Sequence, residues 1–416
     1  MPGDKSISHR ALILAGLAGG QSRIRGLLRA ADVARTAAMM RALGVEVRDA
    51  EDVIVRGVGL RGLAEPSDVL DAGNSGTTMR LGAGLLAGQP FFAVMTGDES
   101  LRSRPMDRVV SPLAQMGALI SARRNGTRAP LCFHGGCLRG FRYESPIPSA
   151  QVKSALLLAG LRASGPVTVI EKTLTRDHTE RMLRAMGARI EVSGPAVTVA
   201  PCDRLDPLDI EVPGDFSSAA FFLALAAARP GASLDVRRVG VNPGRRGLLD
   251  VLRRMGAEVT VVSQAEVSGE PVADVLVTGA DLRATTVASE EVPSLVDEVP
   301  ALCVAAVFAS GRTEVRGASE LRVKESDRIS TMVQALGRLG VPCGELEDGL
   351  WIEGPAAPRD GVVLATRGDH RVAMALRTLA AAAGVRVSLD DVRCIETSFP
   401  DFEATLARCA EALGIG

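Results

Sequence analysis

At 416 residues the chain is long for a single hydrophobic core, so two domains are expected. A net charge of −1 argues against a partner bound through bulk positive charge, so neither nucleic acid nor a membrane surface is expected. The longest apolar runs, such as 219–228, are too short to span a bilayer, no secretory leader pattern opens the chain, and the seven cysteines form no disulfide framework; a cytoplasmic protein is expected.

In chain order the sequence repeats itself. The first unit opens with Gly3-Asp4-Lys5-Ser6-Ile7-Ser8-His9-Arg10. It continues into an apolar helix over 11–17 and a strand over 21–24, and closes an amphipathic helix on Leu43-Gly44-Val45. The second opens with Gly73-Asn74-Ser75-Gly76-Thr77-Thr78, with a helix over 79–86, a strand over 90–94 and a close at Met116-Gly117-Ala118. The third opens with Pro148-Ser149-Ala150-Gln151-Val152-Lys153, with a helix over 155–161, a strand over 166–170 and a close at Met186-Gly187-Ala188. Val212-Pro213-Gly214 then interrupts the pattern and marks the expected boundary between an N-terminal domain, 3–213, and a C-terminal domain, 214–416.

The fourth unit opens with Gly214-Asp215-Phe216-Ser217-Ser218, with a helix over 219–227, a strand over 233–236 and a close at Met255-Gly256-Ala257. The fifth follows the acidic stretch 290–298, with a helix over 301–308, a strand over 312–315 and a close at Leu339-Gly340-Val341. The sixth opens with Gly368-Asp369-His370-Arg371, with a helix over 372–381, a strand over 385–389 and a close at Leu413-Gly414-Ile415. A period of about 70 residues is too long for a solenoid and indicates a repeated supersecondary unit. A helix apolar all round must be buried on every side, so the expected fold is two α/β domains, each with three helices enclosed by sheets. A cleft between them is the default place for a site.

The most charged stretch lies in the fifth unit, Arg322-Val323-Lys324-Glu325-Ser326-Asp327-Arg328. From Ile329 the apolar residues fall on one helical face (Ile329, Met332, Val333, Leu336, Leu339), so Ser326 or Asp327 is the expected N-cap. Free backbone N–H groups and the positive end of the dipole favour an anion at such a mouth. The same holds at the mouths of the apolar helices, where Lys5, Arg10, Lys324, Arg328 and Arg371 add cations. Together they suggest small ligands carrying several phosphate or carboxylate groups, with Asp297 and Glu325 as the carboxylates for proton transfer.

Only four of the 48 basic residues are lysine. Where arginine is the default, a retained lysine suggests that an amine is needed; Lys5, Lys153 and Lys324 are candidates, and Lys172 is expected at the surface. Cys132-Phe-His-Gly-Gly-Cys137 has no second ligand pair at zinc spacing, so no metal is expected. No P-loop, dinucleotide fingerprint or nucleophile elbow occurs, and the four histidines are read as structural or orienting groups.

Seven stretches resemble the 5-enolpyruvylshikimate-3-phosphate synthase family of enolpyruvyl transferases: 2–10, 73–80, 103–106 (Ser-Arg-Pro-Met), 149–154, 175–180 (Thr-Arg-Asp-His-Thr-Glu), 322–328 and 368–371. The resemblance runs from residue 2 to the C-terminus. It implies two inside-out α/β domains of three repeats each, with buried parallel helices, a hinge near 1–3 and 212–214, and an active site in the interdomain cleft. The implied reaction joins the 5-hydroxyl of shikimate 3-phosphate to phosphoenolpyruvate by addition and elimination, releasing phosphate. It needs no metal or organic cofactor, and the implied enzyme is a monomer.

By motif, the resemblance implies that Lys5 bridges both substrates and shares in proton transfer, that Asp297 accepts the hydroxyl proton, and that Glu325 protonates the methylene and later removes that proton. Arg328 and Arg371 would hold the phosphoenolpyruvate carboxylate, and Arg104, Gln151 and the Asn74–Gly76 loop its phosphate end. Ser6, Arg10, Ser149, Gln151, Arg176 and Lys324 would bind shikimate 3-phosphate, with Asp297 on its hydroxyl.

Three departures stand out. Members usually begin about a dozen residues earlier, with a strand of the C-terminal domain, so an open sheet edge is expected. Ala150 replaces a second serine, and Thr397 stands where some members carry a lysine that binds phosphoenolpyruvate. The nearest alternative is the sister enzyme acting on UDP-N-acetylglucosamine, which generally carries a loop cysteine where 99–106 has none. A catalytically silent anion-binding module is the alternative from another class. Gly76 leaves room for a slightly longer mimic of phosphoenolpyruvate, so sensitivity to glyphosate is expected.

Overall fold

The six glycines that close the repeated helices all take positive φ, from 64° at Gly414 to 109° at Gly256. That is the left-handed C-terminal signal that an L side chain resists, and it accounts for the regular apolar-Gly spacing. The computed structural model describes residues 1–415. Its chain divides into two units: Gly3–Val212 with Glu266–Glu270, and Met1–Pro2 with Pro213–Ala265 and Pro271–Gly416. The boundary thus falls one residue before the expected one, and a hairpin tip from the second half of the chain groups with the first unit.

Each repeat carries a core helix and an amphipathic helix. In the first unit these are α1 (Lys5–Leu17), α2 (Ala31–Ala42), α3 (Gly76–Leu86), α4 (Asp107–Gln115), α5 (Ala150–Gly160) and α6 (His178–Ala185). In the second they are α7 (Phe216–Ala227), α8 (Gly247–Met255), α9 (Val299–Phe308), α10 (Arg328–Arg338), α11 (His370–Ala383) and α12 (Phe402–Ala412). Every residue of α7 is buried, as the absence of a polar face requires.

The core helices begin earlier than their apolar runs suggested. The polar motifs are their first turns, each preceded by a capping side chain: Asp4, Ser75, Ser149, Asp215 and Asp369 accept backbone N–H groups at the starts of α1, α3, α5, α7 and α11. Apolar periodicity is blind to these turns because their side chains are polar.

In the first unit the three sheets share one plan. A strand preceding the core helix pairs in parallel with the strand that follows it, and an antiparallel hairpin completes the sheet. Leu70–Asp71 pairs so with Ala93–Thr96, and Phe141–Ser145 with Val167–Glu171. In the first repeat the preceding strand is supplied by Asp209–Glu211, beside Gln21–Arg25, so the end of the unit closes onto its beginning. The fifth repeat follows the same plan, while the fourth has a three-stranded sheet and the sixth a two-stranded one, Val362–Leu364 with Val387–Leu389.

Close packing of α3 on α5 positions the first unit's polar groups. A Cβ on Gly84 would lie 2.2 Å from the Ala155 carbonyl oxygen, so only glycine permits the approach. The two N-termini thereby meet, and Gln151 reaches Thr77.

Candidate active site

In the first unit, α1 and α2 are joined by two polar rungs one helical turn apart. Lys5 Nζ donates to Asp32 Oδ2 at 3.0 Å, and His9 Nδ1 lies 2.7 Å from Thr36 Oγ1. Burial, with Lys5 and Arg10 nearby, holds the His9 pKa well below its ordinary value, so its ring is neutral. Thr36 continues to Thr78, and Thr78 to the N-cap Ser75, tying α3 into the same network.

Arg10 is 4% exposed, donating from Nε to Thr179 Oγ1 and from Nη2 to Ser154 Oγ, both at 2.8 Å, and from Nη1 to the Ser6 carbonyl at 3.0 Å. Arg176 reaches Ser6 Oγ at 3.4 Å. Burial and the neighbouring Arg176 push the Arg10 pKa down to about 10, with Glu180, Asp4 and Glu270 pulling it upward. Ser149 uses its hydroxyl to cap α5, accepting from the Val152 amide at 3.4 Å.

At the mouth of α3, Arg104 donates to Asn74 Oδ1 and to Ser100 Oγ, and Asn74 Nδ2 donates to Asp98 at 2.6 Å. Arg80 donates to Gln151 Oε1 at 2.6 Å while Gln151 Nε2 donates to Thr77 at 2.9 Å. Gly76 lies between the two buried guanidiniums: an added Cβ would stand 3.0 Å from Arg80 Nη1 and 3.4 Å from Arg104 Nη1. Guanidiniums converging on free helix N–H groups can take a phosphate or carboxylate.

In the second unit the charged septet folds into a 3₁₀ turn, Ser319–Val323, and the start of α10, capped by Asp327 through the Ser330 amide. Arg328 is 1% exposed and meets three carboxylates. Nε lies 2.9 Å from Asp369 Oδ2, Nη2 lies 2.6 Å from Glu325 Oε2 and 3.3 Å from Asp369 Oδ1, and Nη1 lies 3.5 Å from Asp297 Oδ1. Burial alone would lower its pKa, but Asp369, Glu325 and Asp297 reverse that and the net shift is upward. Lys324 Nζ sits 3.8 Å from Asp297 Oδ1 and 3.6 Å from Glu320. Arg371, in the first turn of α11, donates to the Asp297 carbonyl at 3.1 Å. Asp297 and Glu325, each near a guanidinium and only partly exposed, are in a position to exchange protons with a ligand.

Within the first unit the structure groups Lys5, Ser6, Arg10 and Arg176 around α1, and Asn74, Gly76, Arg104 and Gln151 around α3. Within the second it groups Asp297, Lys324, Glu325, Arg328 and Arg371. Thr397 turns its hydroxyl to the Cys394 carbonyl. Lys153 is corrected from candidate amine to structural group. It is 2% exposed, and its Nζ lies 2.6 Å from Glu171 and 2.9 Å from Glu180.

Sequence reasoning gave no role to Asp32, Arg80 and Asp369, which anchor Lys5, Gln151 and Arg328. The only signal for Arg80 and Asp369 was their place in motifs, and Asp32 had none. Among the described residues no group of three or more His, Cys, Asp or Glu could hold a metal ion, and no helix is long and apolar enough to cross a membrane.

Residues 1–406 match the family model described as EPSP synthase (3-phosphoshikimate 1-carboxyvinyltransferase). The chain is 51% identical over 403 residues to a 3-phosphoshikimate 1-carboxyvinyltransferase of Citrifermentans bemidjiense, covering 97% of this chain and 94% of that protein. It is 54% identical over 409 residues to the one from Gloeobacter violaceus, covering 98% and 94%. A solved EPSP synthase from Acinetobacter baumannii superposes with TM-score 0.84 at 41% identity, covering 98% of this chain and 94% of that one. The enolpyruvyl transferase NikO from Streptomyces tendae shares the fold, with TM-score 0.76 at 20% identity, covering 100% of this chain and 94% of that one.

Proposed function

The chain belongs to the EPSP synthase family, and from that premise we propose the role of each site residue. The protein transfers the enolpyruvyl group of phosphoenolpyruvate to the 5-hydroxyl of shikimate 3-phosphate and releases phosphate, a step of the shikimate pathway toward aromatic amino acids. The observation that carries the binding roles is Arg10. Its buried guanidinium donates to three neutral oxygens, Thr179 Oγ1, Ser154 Oγ and the Ser6 carbonyl, while Arg176 reaches Ser6 as well, so two cations stand where an anionic ligand can pair with them.

Arg10 and Arg176, with Ser6, Ser149, Gln151 and Lys324, take shikimate 3-phosphate. Arg104, Gln151 and the Asn74–Gly76 loop take the phosphate of phosphoenolpyruvate, and Arg328 and Arg371 its carboxylate. Lys5 spans both substrates.

In the addition step Asp297 accepts the proton of the 5-hydroxyl as its oxygen bonds to C2 of phosphoenolpyruvate. Glu325 gives a proton to C3, leaving a tetrahedral adduct. In the elimination step Glu325 takes a proton back from the new methyl group, the C2–C3 double bond re-forms and phosphate leaves, with Lys5 donating to the departing oxygen. A carboxylate arriving at Arg328 competes with Glu325 for Nη2, now 2.6 Å away, and so frees Glu325 to carry the proton. Preorganised cations and helix N-termini hold the charge while the two carboxylates move protons. The working protein is a cytoplasmic monomer.

The test is phosphate release from phosphoenolpyruvate, with shikimate 3-phosphate or UDP-N-acetylglucosamine as acceptor. Release is expected only with shikimate 3-phosphate. Glu325→Gln should lower kcat at least about 100-fold while the affinity for shikimate 3-phosphate holds. Release only with the nucleotide sugar would move the chain to the sister activity, and near-normal kcat in Glu325→Gln would remove it from proton transfer.

A further inference from the structure

Five of the six core helices are capped by the side chain of their own N-cap residue. The exception is α9, whose N-cap, Glu298, makes no capping hydrogen bond although it is only 2% exposed. Its carboxylate is used elsewhere. Glu298 Oε1 accepts from Ser217 Oγ in the first turn of α7. Ser217 Oγ in turn accepts from Arg245 Nη2 at 2.6 Å, and that nitrogen lies 3.3 Å from the α7 cap Asp215. Toward α11, Arg371 Nη1 lies 3.9 Å from Glu298 Oε1 while donating to the Asp297 carbonyl.

We propose that Glu298 is a positioning residue for phosphoenolpyruvate: anchored by Ser217 and Arg245, its carboxylate holds the Arg371 guanidinium in place before the substrate arrives. The proposal rests on the assignment of Arg371 to the substrate carboxylate. A shorter Asp or Ser would cap α9, as at the other mouths. A glutamate carries its charge past its own helix to Ser217 and Arg371.

Keeping a carboxylate buried there is unfavourable unless it is hydrogen-bonded and near a cation, and Ser217 and Arg371 supply both. Burial pushes its pKa above the ordinary glutamate range; Arg245 opposes this, Asp297 adds to it, and Arg371 and the Ser217 hydroxyl oppose it, with a net upward shift. The same geometry ties the Asp297 peptide to Arg371, so the turn carrying the proposed base and the guanidinium move together.

The test compares Glu298→Gln, Ser217→Ala and Arg371→Met by steady-state kinetics in both substrates, with melting temperatures as a fold control. Glu298→Gln keeps the shape and the acceptor for Ser217 but removes the charge facing Arg371. It should raise KM for phosphoenolpyruvate about 10-fold and change KM for shikimate 3-phosphate less than about 2-fold. Ser217→Ala frees the carboxylate without neutralising it and should act in the same direction, about 3-fold. It also carries the test should Glu298→Gln fail to fold.

KM for phosphoenolpyruvate within about 2-fold of the parent in both variants, or an equal rise in both KM values, would overturn the proposal. Arg371→Met should raise KM for phosphoenolpyruvate more than either. An unchanged value there would overturn the Arg371 assignment, and Glu298's role with it. A rise in Arg371→Met alone would leave that assignment standing and reject Glu298.

Discussion

Asp369 is the residue whose removal should tell most about how the second unit holds its site. Fully buried at 0% exposure, it caps α11 through Oδ1, which accepts from the Arg371 amide at 2.9 Å and the Val372 amide at 3.4 Å. It also meets Arg328 through both oxygens and accepts from Ser326 Oγ at 3.1 Å. Asp369→Asn keeps the shape and one capping acceptor but removes the charge that neutralises a guanidinium with almost no access to water. Breaking a buried pair of this kind costs about 3 kcal/mol or more. Asp369→Ala also loses the cap, adding about 1 kcal/mol.

The chain's single tryptophan, Trp351, lies in the second unit, so its fluorescence during urea denaturation reports on that unit. With a slope of about 2–3 kcal/mol/M, the Asn variant should lose about 1 M in midpoint and the Ala variant somewhat more. Both should raise KM for phosphoenolpyruvate, because Arg328 loses its fixed orientation. Should Asn match the parent within about 0.5 kcal/mol while Ala loses only the value of a cap, Glu325 and Asp297 alone would be stabilising Arg328, and the reasoning would be refuted.

Gly76→Ala places a methyl between Arg80 and Arg104 at 3.0 and 3.4 Å, displacing two flexible guanidiniums by a few tenths of an ångström. Loss of about half a charge-assisted hydrogen bond should raise KM for phosphoenolpyruvate about 10-fold and weaken glyphosate, the longer mimic, more strongly; unchanged inhibition would reject that account. Arg10→Gln should raise KM for shikimate 3-phosphate at least about 10-fold with a smaller effect on phosphoenolpyruvate, and the reverse pattern would reassign Arg10.

Lys153→Met leaves Glu171 and Glu180 buried without their cation and should destabilise the first unit by about 3 kcal/mol. Burial alone would lower the Lys153 pKa, but Glu180 and Glu171 raise it overall. The stabilisation it contributes is therefore complete below the ordinary lysine pKa and is lost as pH rises through the higher folded value, so the deficit of the Met variant should shrink in that alkaline window. A deficit that stays constant across the window would mean that Lys153 acts through packing rather than charge.

By itself, the sequence determined the repeats, because what marks them is local. A helix with no polar face has to be buried wherever it falls, and an apolar-Gly pair ends a helix because its next residue needs positive φ; both signals lie within a few neighbouring residues. The motifs at the helix mouths were visible for the same reason, although the polar first turns of the helices were read as the segments before them. Tertiary structure decided what each charge does. Lys5 and Lys153 both lie in the first turns of core helices, yet one keeps 13% of its side chain exposed beside Asp32 and the other is enclosed by Glu171 and Glu180 at 2%. Arg328 is held by Asp369, 41 residues away, and Glu298 serves Ser217 of another helix rather than its own. Helical periodicity reaches about four residues along the chain, whereas a buried charge is governed by whichever partner the fold brings within about 4 Å.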